Sequence, residues 1–463
     1  MPHFAEADEV RRRSIYLLTS ISEQLLSLSA RDYPTESPKR FIAYLERLVS
    51  GLHRLLLADD NTDTIKLICR FVKDLGSHVR FLETASYPRI PWAVIAPMEN
   101  LMTSIVPEAE IVLRAQWSWN YRIRQIASLY KEALEALPHE YFNDSVFAAN
   151  SPAWNVVSLP TMDRGNILMH VILGHEVGHR IADQFLSGED EQALQQEILA
   201  LVGDGKWFDI NIEQNGPLFA MNIKAALFRQ INDMRSGGLQ ELISDIVAFH
   251  LFGPSFLFAI RESSLDSVLD GVPIPRSYHP PWRYRYRQVI REYQRQGYPP
   301  LLASLGGSLI LDTIRQACLR QLEDIVDLTQ DTTDIQAIQG DKIATRAYQL
   351  IERVVPQIPS FVESKLQGLA FVPNEFKVMQ EQLLSRIALG IPPAEVDGKV
   401  VNFRDVILAG WLYRISRLPV PFSAAAVVSV EDDITLQRLV HKALEYTNTI
   451  EEYGRWHNQE KGD

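Results

Sequence analysis

Three residues that could bind or activate a small ligand interrupt an apolar stretch, ILMHVILGHEVGHRIADQF at residues 167–185. They are His175, Glu176 and His179. A helix built only for a protein core gains nothing from polar groups at its centre, because each must find a partner or incur a desolvation cost. The stretch therefore has two interpretations: a pair of hydrogen-bonded core histidines beside an incidental glutamate, or a metal site.

The spacing of these residues favours the metal site. Residues four apart on an α-helix are separated by about 40° around its axis, so His175 and His179 project from one face. Two imidazole nitrogens placed there can bind one tetrahedral ion at about 2 Å. Glu176 lies about 100° around the helix from His175, where it can hold a water molecule and act as a general base, as in the H-E-x-x-H pattern. The small residues Gly174 and Gly178 would let another element approach closely.

A second apolar helix supplies a candidate third ligand. It is predicted over GGLQELISDIVAFHLFG at residues 237–253, with Glu241 and Asp245 four apart on one face. Two inward carboxylates need a positive partner, and Glu241 as a metal ligand with Asp245 accepting a hydrogen bond from a ligand histidine would meet that need. The alternative is a solvated face, or acidic residues favoured by the helix dipole. Together with the histidine pair, the metal interpretation is the better one.

The two segments together resemble the gluzincin zinc metallopeptidases, whose thermolysin branch carries H-E-x-x-H and then E-x-x-S-D. HEVGH and ELISD are the matching residues in this chain. The resemblance implies that His175, His179 and Glu241 bind one zinc ion per chain. It also implies that Glu176 is the general base and that Asp245 orients a ligand histidine.

A third segment, HPPWRYR, is similar to one branch of this family in particular. The heat-shock membrane peptidases and CAAX prenyl endopeptidases carry H-P-P followed by an arginine, and they also have a long gap before the third ligand. Here His279 and Arg285 match that segment, and 61 residues separate His179 from Glu241. The chain departs from this branch because it lacks the membrane helices and has Arg180 directly after the second histidine.

The loop RSYHPPWRYR supplies donors for an oxyanion, which develops when water attacks a carbonyl. The resemblance implies that His279 is a transition-state donor, and Tyr278 is a second candidate. Arg285 is expected to connect the loop to the acidic residues near the metal. The remaining arginines share one helix face and are expected to form a solvated stripe: Arg283, Arg287 and Arg291.

Helical periodicity dominates the elements that must position these residues. It predicts helices over residues 8–31, 39–58, 63–82 and 121–137. Strands are predicted over residues 110–117 and 155–160, and more weakly over 208–212 and 399–403.

The strand over residues 155–160, NVVSLP, lies just ahead of the histidine helix. Val156, Val157 and Ser158 are predicted to form an edge strand, to which an extended peptide substrate could add as a further strand. The alternative is an ordinary core strand. The fold class is mainly α with a small β-sheet. A zincin-like catalytic core over residues 86–300 is predicted between helical regions at 1–85 and 301–463.

Composition restricts the possible partners. The chain has 463 residues and a net charge of −12, from 46 basic and 58 acidic residues, which argues against binding duplex nucleic acid. Its two cysteines provide neither a zinc knuckle nor a disulfide framework, and a reducing cytoplasm fits best. No apolar run of about 18 residues occurs, so no membrane insertion is expected. No pattern indicates an oligomeric state.

The function predicted from these residues is that of a zinc-dependent metalloendopeptidase acting on a peptide or protein substrate. Glu176 would activate the attacking water and then protonate the leaving amine. One alternative is a zinc hydrolase of a small amide or ester. Another is a non-catalytic scaffold that zinc stabilises and that binds a protein partner, although a structural site needs no general base.

Overall fold

Four helices begin the chain in the computed structural model. The structure describes residues 2–86, 91–107, 109–118, 120–126, 135, 137–142, 153–203, 207, 217–265, 267–271, 278–417 and 430–460. The first helices are α1 (Pro2–Ser29), α2 (Ser37–Ala58), α3 (Thr62–Thr84) and α4 (Trp92–Ile105). Their apolar stripes are buried, and Asn61 caps α3 by accepting hydrogen bonds from the backbone of the first turn. The helices predicted over 8–31, 39–58 and 63–82 are confirmed.

A three-stranded sheet follows these helices. Its strands are β1 (Ala109–Gln116), β2 (Arg122–Gln125) and β3 (Ala153–Pro160). Strand β3 lies in the middle, parallel to β1 and antiparallel to β2. The prediction that Val156, Val157 and Ser158 form an edge strand is therefore wrong. Residues 154–160 are all buried, and such a nearly continuous apolar run is typical of a strand with neighbours on both sides.

Two other predictions differ from the structure. The helix predicted over 121–137 begins instead with strand β2, because Arg122 and Arg124 alternate with Ile123 and the segment pairs with β3. Residues 127–134 and 136 lie outside the described residues, as does the strand predicted over 208–212. Within 399–403 a two-residue strand β5 (Lys399–Val400) pairs with β4 (Glu395–Val396), and helix begins at Phe403.

Most of the remaining described residues are helical. A 3-10 helix over Ile167–Ile172 leads directly into α5. The helices are α5 (Leu173–Ser187), α6 (Glu191–Val202), α7 (Pro217–Phe252), α8 (Pro254–Ser263), α9 (Trp282–Arg295), α10 (Tyr298–Ala303), α11 (Leu309–Gln330), α12 (Thr333–Gly340), α13 (Lys342–Val354), α14 (Ile358–Lys365), α15 (Pro373–Ala388), α16 (Phe403–Arg417) and α17 (Val430–Glu460).

Helix α7 lies at the centre of this second group. Helices α5, α9, α13 and α14 all pack against it, and every residue from Glu241 to Phe252 is buried. The mainly helical fold class with a small sheet is confirmed. No helix in the described part of the chain is long and apolar enough to span a bilayer.

The contacts divide the chain into two compact units, Met1–Ile167 and Leu168–Asp463. This division falls inside the predicted core of residues 86–300 rather than near residues 85 and 300. The histidine helix and the helix with Glu241 belong to the second unit, whereas the three-stranded sheet belongs to the first.

Candidate metal site

Two glycines bring the histidine helix α5 against α7. A Cβ atom built on Gly178 would lie 2.5 Å from the Cα atom of Ser244, and one on Gly174 would lie 2.8 Å from the ring of Phe252. Real Cβ atoms do not approach other atoms so closely, so only glycine permits this packing. A glycine inside a helix destabilises it by up to about 1 kcal/mol relative to alanine. Here that loss accompanies the close packing of α5 against α7.

The close packing places three candidate ligands around one point. The Nε2 atom of His175 lies 3.4 Å from Oε2 of Glu241, and Nε2 of His179 lies 3.8 Å from Oε1 of the same carboxylate. Atoms that bind one tetrahedral ion at about 2.1 Å are about 3.4 Å from one another. The two imidazoles and the carboxylate therefore fit a zinc ion in both chemistry and spacing.

Glu176 lies beside the two histidines and is close enough to be a further candidate ligand. Its carboxylate has an oxygen within 4.8 Å of ring nitrogens of both His175 and His179. The side chain is buried, with 7% of its surface exposed. This position suits a group that holds a water molecule next to a metal.

Asp245 and Arg285 contact the candidate ligands His175 and Glu241. The Nδ1 atom of His175 donates to Oδ1 of Asp245 at 2.9 Å, which leaves Nε2 facing Glu241. Arg285 donates to both oxygens of Asp245 at 2.7 Å, and its Nη1 lies 3.0 Å from Oε2 of Glu241. The guanidinium also stacks over the ring of Trp282, 4.3 Å from its centroid. The contact expected between Arg285 and the acidic residues is present.

The loop before α9 brings His279 to the same carboxylate. The Nδ1 atom of His279 lies 3.0 Å from Oε1 of Glu241, while 61% of the His279 side chain is exposed. Gly237 makes this approach possible, because a Cβ atom there would lie 2.9 Å from Cβ of Tyr278. His279 therefore joins the cluster from its open side, and Tyr278 packs where the loop meets α7.

The charges of the cluster depend on one another. Burial favours the neutral form of His175, but hydrogen bonds to Asp245 and Glu241 outweigh it and raise the pKa of His175 to about 10. Burial, reinforced by the charge of His175, lowers the pKa of His179 to about 4. Burial opposes ionisation of Glu241 and Asp245, yet Arg285 and His175 hold the pKa of both carboxyls below their usual range. His179 is thus neutral and ready to bind a metal at neutral pH.

A second cluster of similar residue types serves as a comparison. His250, Glu292 and Glu363 also lie close enough to share an ion. However, Oε1 of Glu292 already accepts from His250 at 2.7 Å, and Arg295 donates to both Glu292 and Glu363. Both carboxylates are thus already paired with Arg295, so this cluster is an ion-pair network that joins α7, α9 and α14. Sequence reasoning missed it: the Glu292–Arg295 spacing is visible, but the partner His250 is not.

The solvated stripe expected on α9 is wrong for Arg283 and Arg287, and only Arg291 is exposed as predicted. Arg283 is buried and pairs with Asp270, and Arg287 donates to both oxygens of Asp334 at 2.9 and 3.0 Å. These carboxylates come from other elements, so the spacing along α9 alone could not reveal the pairs. Arg180 donates to Asp183 at 3.3 Å, and Gln240 of α7 donates to the other oxygen of the same carboxylate.

No protein-family model matches this sequence, and neither the curated proteins nor the solved structures gave a match.

Proposed function

We propose that this chain is a zinc-dependent metalloendopeptidase whose single zinc ion is bound by His175, His179 and Glu241. The observation that carries the proposal is the convergence of two imidazole Nε2 atoms on one carboxylate at 3.4 and 3.8 Å. Further support comes from the buried carboxylate of Glu176. A purely structural zinc site has its positions filled by protein ligands and needs no additional carboxylate beside the metal. The short motifs shared with gluzincins suggest that residues around the site form a zincin-like core.

Zinc held there would polarise a carbonyl group and lower the pKa of a bound water molecule. Glu176 then accepts a proton from the attacking water and returns it to the nitrogen of the leaving amine. A carboxylate suits both steps because it is ionised before the attack and protonated afterwards. Its proximity to both ligand histidines supports this assignment.

The surrounding side chains hold the reacting groups in place. Asp245 fixes the ring of His175 through Nδ1, and Arg285 fixes Asp245 and Glu241 at once. His279 enters from the open side with an exposed imidazole, where it could donate to a developing oxyanion. Tyr278 is the alternative donor from the same loop.

The proposed substrate is a peptide or protein, as the motifs shared with gluzincins suggest. The proposed location is the reducing cytoplasm. The test compares zinc-loaded wild type with Glu176→Gln on a library of peptides derived from a whole proteome. Glu176→Gln keeps the shape of the side chain and removes the proton acceptor, so cleavage is expected to fall by orders of magnitude while zinc remains bound. Glu191→Gln, a matched change on the exposed start of α6, should cleave like the wild type.

Each rival function predicts a different result in this experiment. A small-molecule hydrolase would leave the peptides intact but turn over simple amides or esters in a Glu176-dependent way. A zinc-stabilised scaffold would bind zinc and cleave neither kind of substrate. Wild-type cleavage rates in Glu176→Gln would remove Glu176 as the base and overturn the proposed mechanism.

A further inference from the structure

Three arginines lie on one face of the three-stranded sheet in the first unit. Arg114 of β1 and Arg122 of β2 are both register partners of Ser158 in the central strand, one on each side. Paired residues of neighbouring strands point to the same face, so these three residues form one row across the sheet. Arg124, two residues beyond Arg122, occupies the same face in the next row, opposite Val156.

The groups that hold Arg114 in place in the described part of the chain are neutral. Its Nε donates to Oγ of Ser158 at 2.9 Å, and its guanidinium stacks on the ring of Phe81, 3.9 Å from the centroid. A second, longer hydrogen bond of 3.4 Å reaches Oε1 of Gln116. A guanidinium has five N–H donors, so most of them stay available after these contacts.

The three arginines bring positive charge together on this face of the sheet. Among the residues that the structure describes, no acidic side chain forms an ion pair with Arg114, Arg122 or Arg124. Glu110, on the same face two rows from Arg114, is already paired with Arg40 at 2.7 Å. The chain has 58 acidic residues against 46 basic ones, so a shortage of acidic residues does not explain why these arginines lack an ion pair within the described ranges.

Burial and the positive charges of these arginines lower the pKa of neighbouring basic groups. Burial first, and then the charges of Arg124 and Arg122, lower the pKa of Arg114 to about 10. Burial together with Arg124 and Arg114 lowers the pKa of His78 on α3 to about 4, so this histidine adds no charge. Like charges placed together raise the free energy of the folded state, and such arrangements are typical of binding sites.

We propose that Arg114, Arg122 and Arg124, together with the hydroxyl of Ser158, form a binding site for a phosphate-type oxyanion. Planar guanidinium groups match the geometry of phosphate oxygens and can bind them in a bidentate way. The Ser158 hydroxyl accepts from Arg114 and so keeps its own proton to donate to the ligand. The site lies in the first unit and does not depend on zinc.

The test is calorimetric titration of the full-length, zinc-loaded protein with inorganic phosphate at constant ionic strength. Wild type is expected to bind with a Kd below about 1 mM, and Arg122→Gln/Arg124→Gln to bind at least about tenfold more weakly. Both of these arginines are exposed, so the double variant should fold normally. Arg114→Gln should lose at least as much, and Arg114→Lys should recover only part of the binding because lysine lacks the planar fork.

A charge-matched control separates a defined site from general attraction. Arg229→Gln/Arg320→Gln removes the same charge from exposed positions on α7 and α11 and should bind phosphate like the wild type. O-phosphoserine and acetate, titrated in parallel, distinguish a phosphate ester from free phosphate and from a simple carboxylate. Absence of saturable phosphate binding in the wild type would overturn the proposal. Equal weakening in the control, or wild-type binding in the Arg122/Arg124 variant, would also overturn it.

Discussion

The Nδ1 atom of His175 and the Oδ1 atom of Asp245 lie 2.9 Å apart between two buried side chains. This single contact determines which nitrogen of His175 faces Glu241. It also connects the ligand set to Arg285, since Arg285 donates to both oxygens of Asp245. The orientation of His175, a candidate ligand on α5, therefore depends on α7 and α9 together.

Replacing Asp245 by asparagine should weaken zinc binding. Asn keeps the size of the side chain but loses the charge that faces both His175 and Arg285, so a decrease in affinity of about 10–100-fold is expected. Competition with a chelator measures the zinc dissociation constant. Asp183→Asn changes an exposed carboxylate on the histidine helix α5 and should leave this constant unchanged. An unchanged constant in Asp245→Asn would show that the aspartate does not tune the site.

Zinc binding should release a proton from the protein. Hydrogen bonds to Asp245 and Glu241 outweigh burial and raise the pKa of His175 to about 10, whereas His179, with a pKa of about 4, is already neutral. Near pH 7 zinc must displace the His175 proton, so affinity should rise about tenfold per pH unit between about pH 6 and 8.

Calorimetry in two buffers of different ionisation enthalpy measures this release. About one proton per zinc is expected from the protein near pH 7. Asp245→Asn, which removes one of the contacts that raise the pKa, should release less. A pH-independent affinity in the wild type would mean that zinc displaces no proton from His175.

Gly178→Ala should destabilise the fold. The new Cβ atom would lie 2.5 Å from Cα and 2.9 Å from the carbonyl oxygen of Ser244, and backbone atoms cannot move aside as a flexible side chain can. A loss of about 1–3 kcal/mol in the free energy of unfolding is expected from denaturant titration. In Gly188→Ala the nearest contact of the new Cβ is 3.4 Å, so it should be nearly neutral. Equal stability of the two variants would disprove the role assigned to close helix packing.

His279→Phe tests the donor assigned to the exposed loop. A donor that meets the oxyanion only as it forms affects turnover more than substrate binding, so kcat should fall by about 10²–10³-fold with KM nearly unchanged. The zinc content and the zinc dissociation constant should be measured in parallel. If zinc affinity falls and kcat follows it, the contact of His279 with Glu241 positions a ligand, and the oxyanion role passes to Tyr278.

The residues of the candidate site could be found in the sequence because local spacing selects them. The site contains two pairs of residues at four-residue spacing on apolar helices: His175 with His179, and Glu241 with Asp245. Helical geometry alone brings each pair to one face of its helix. That the two faces meet is also suggested by Gly174 and Gly178, since small residues permit close packing.

What the sequence did not reveal depends on partners distant along the chain. Periodicity predicts a strand at residues 156–158 but does not identify its neighbours, so the prediction of an edge strand is wrong. The helix predicted over 121–137 fails at β2 for a similar reason, because the pairing of β2 with β3 decides its conformation. Arg283 pairs with a carboxylate that precedes it in the chain, and Arg287 pairs with one that follows much later, so no spacing on α9 encodes either pair.

Zinc content per chain tests the central claim most directly. Wild type, incubated with zinc and freed of excess ion, should contain about one zinc per chain by elemental analysis, and Glu176→Gln should contain the same amount. His179→Ala removes one ligand and should lose most of the metal. Stoichiometric zinc in His179→Ala, or no zinc in the wild type, would contradict the proposed site.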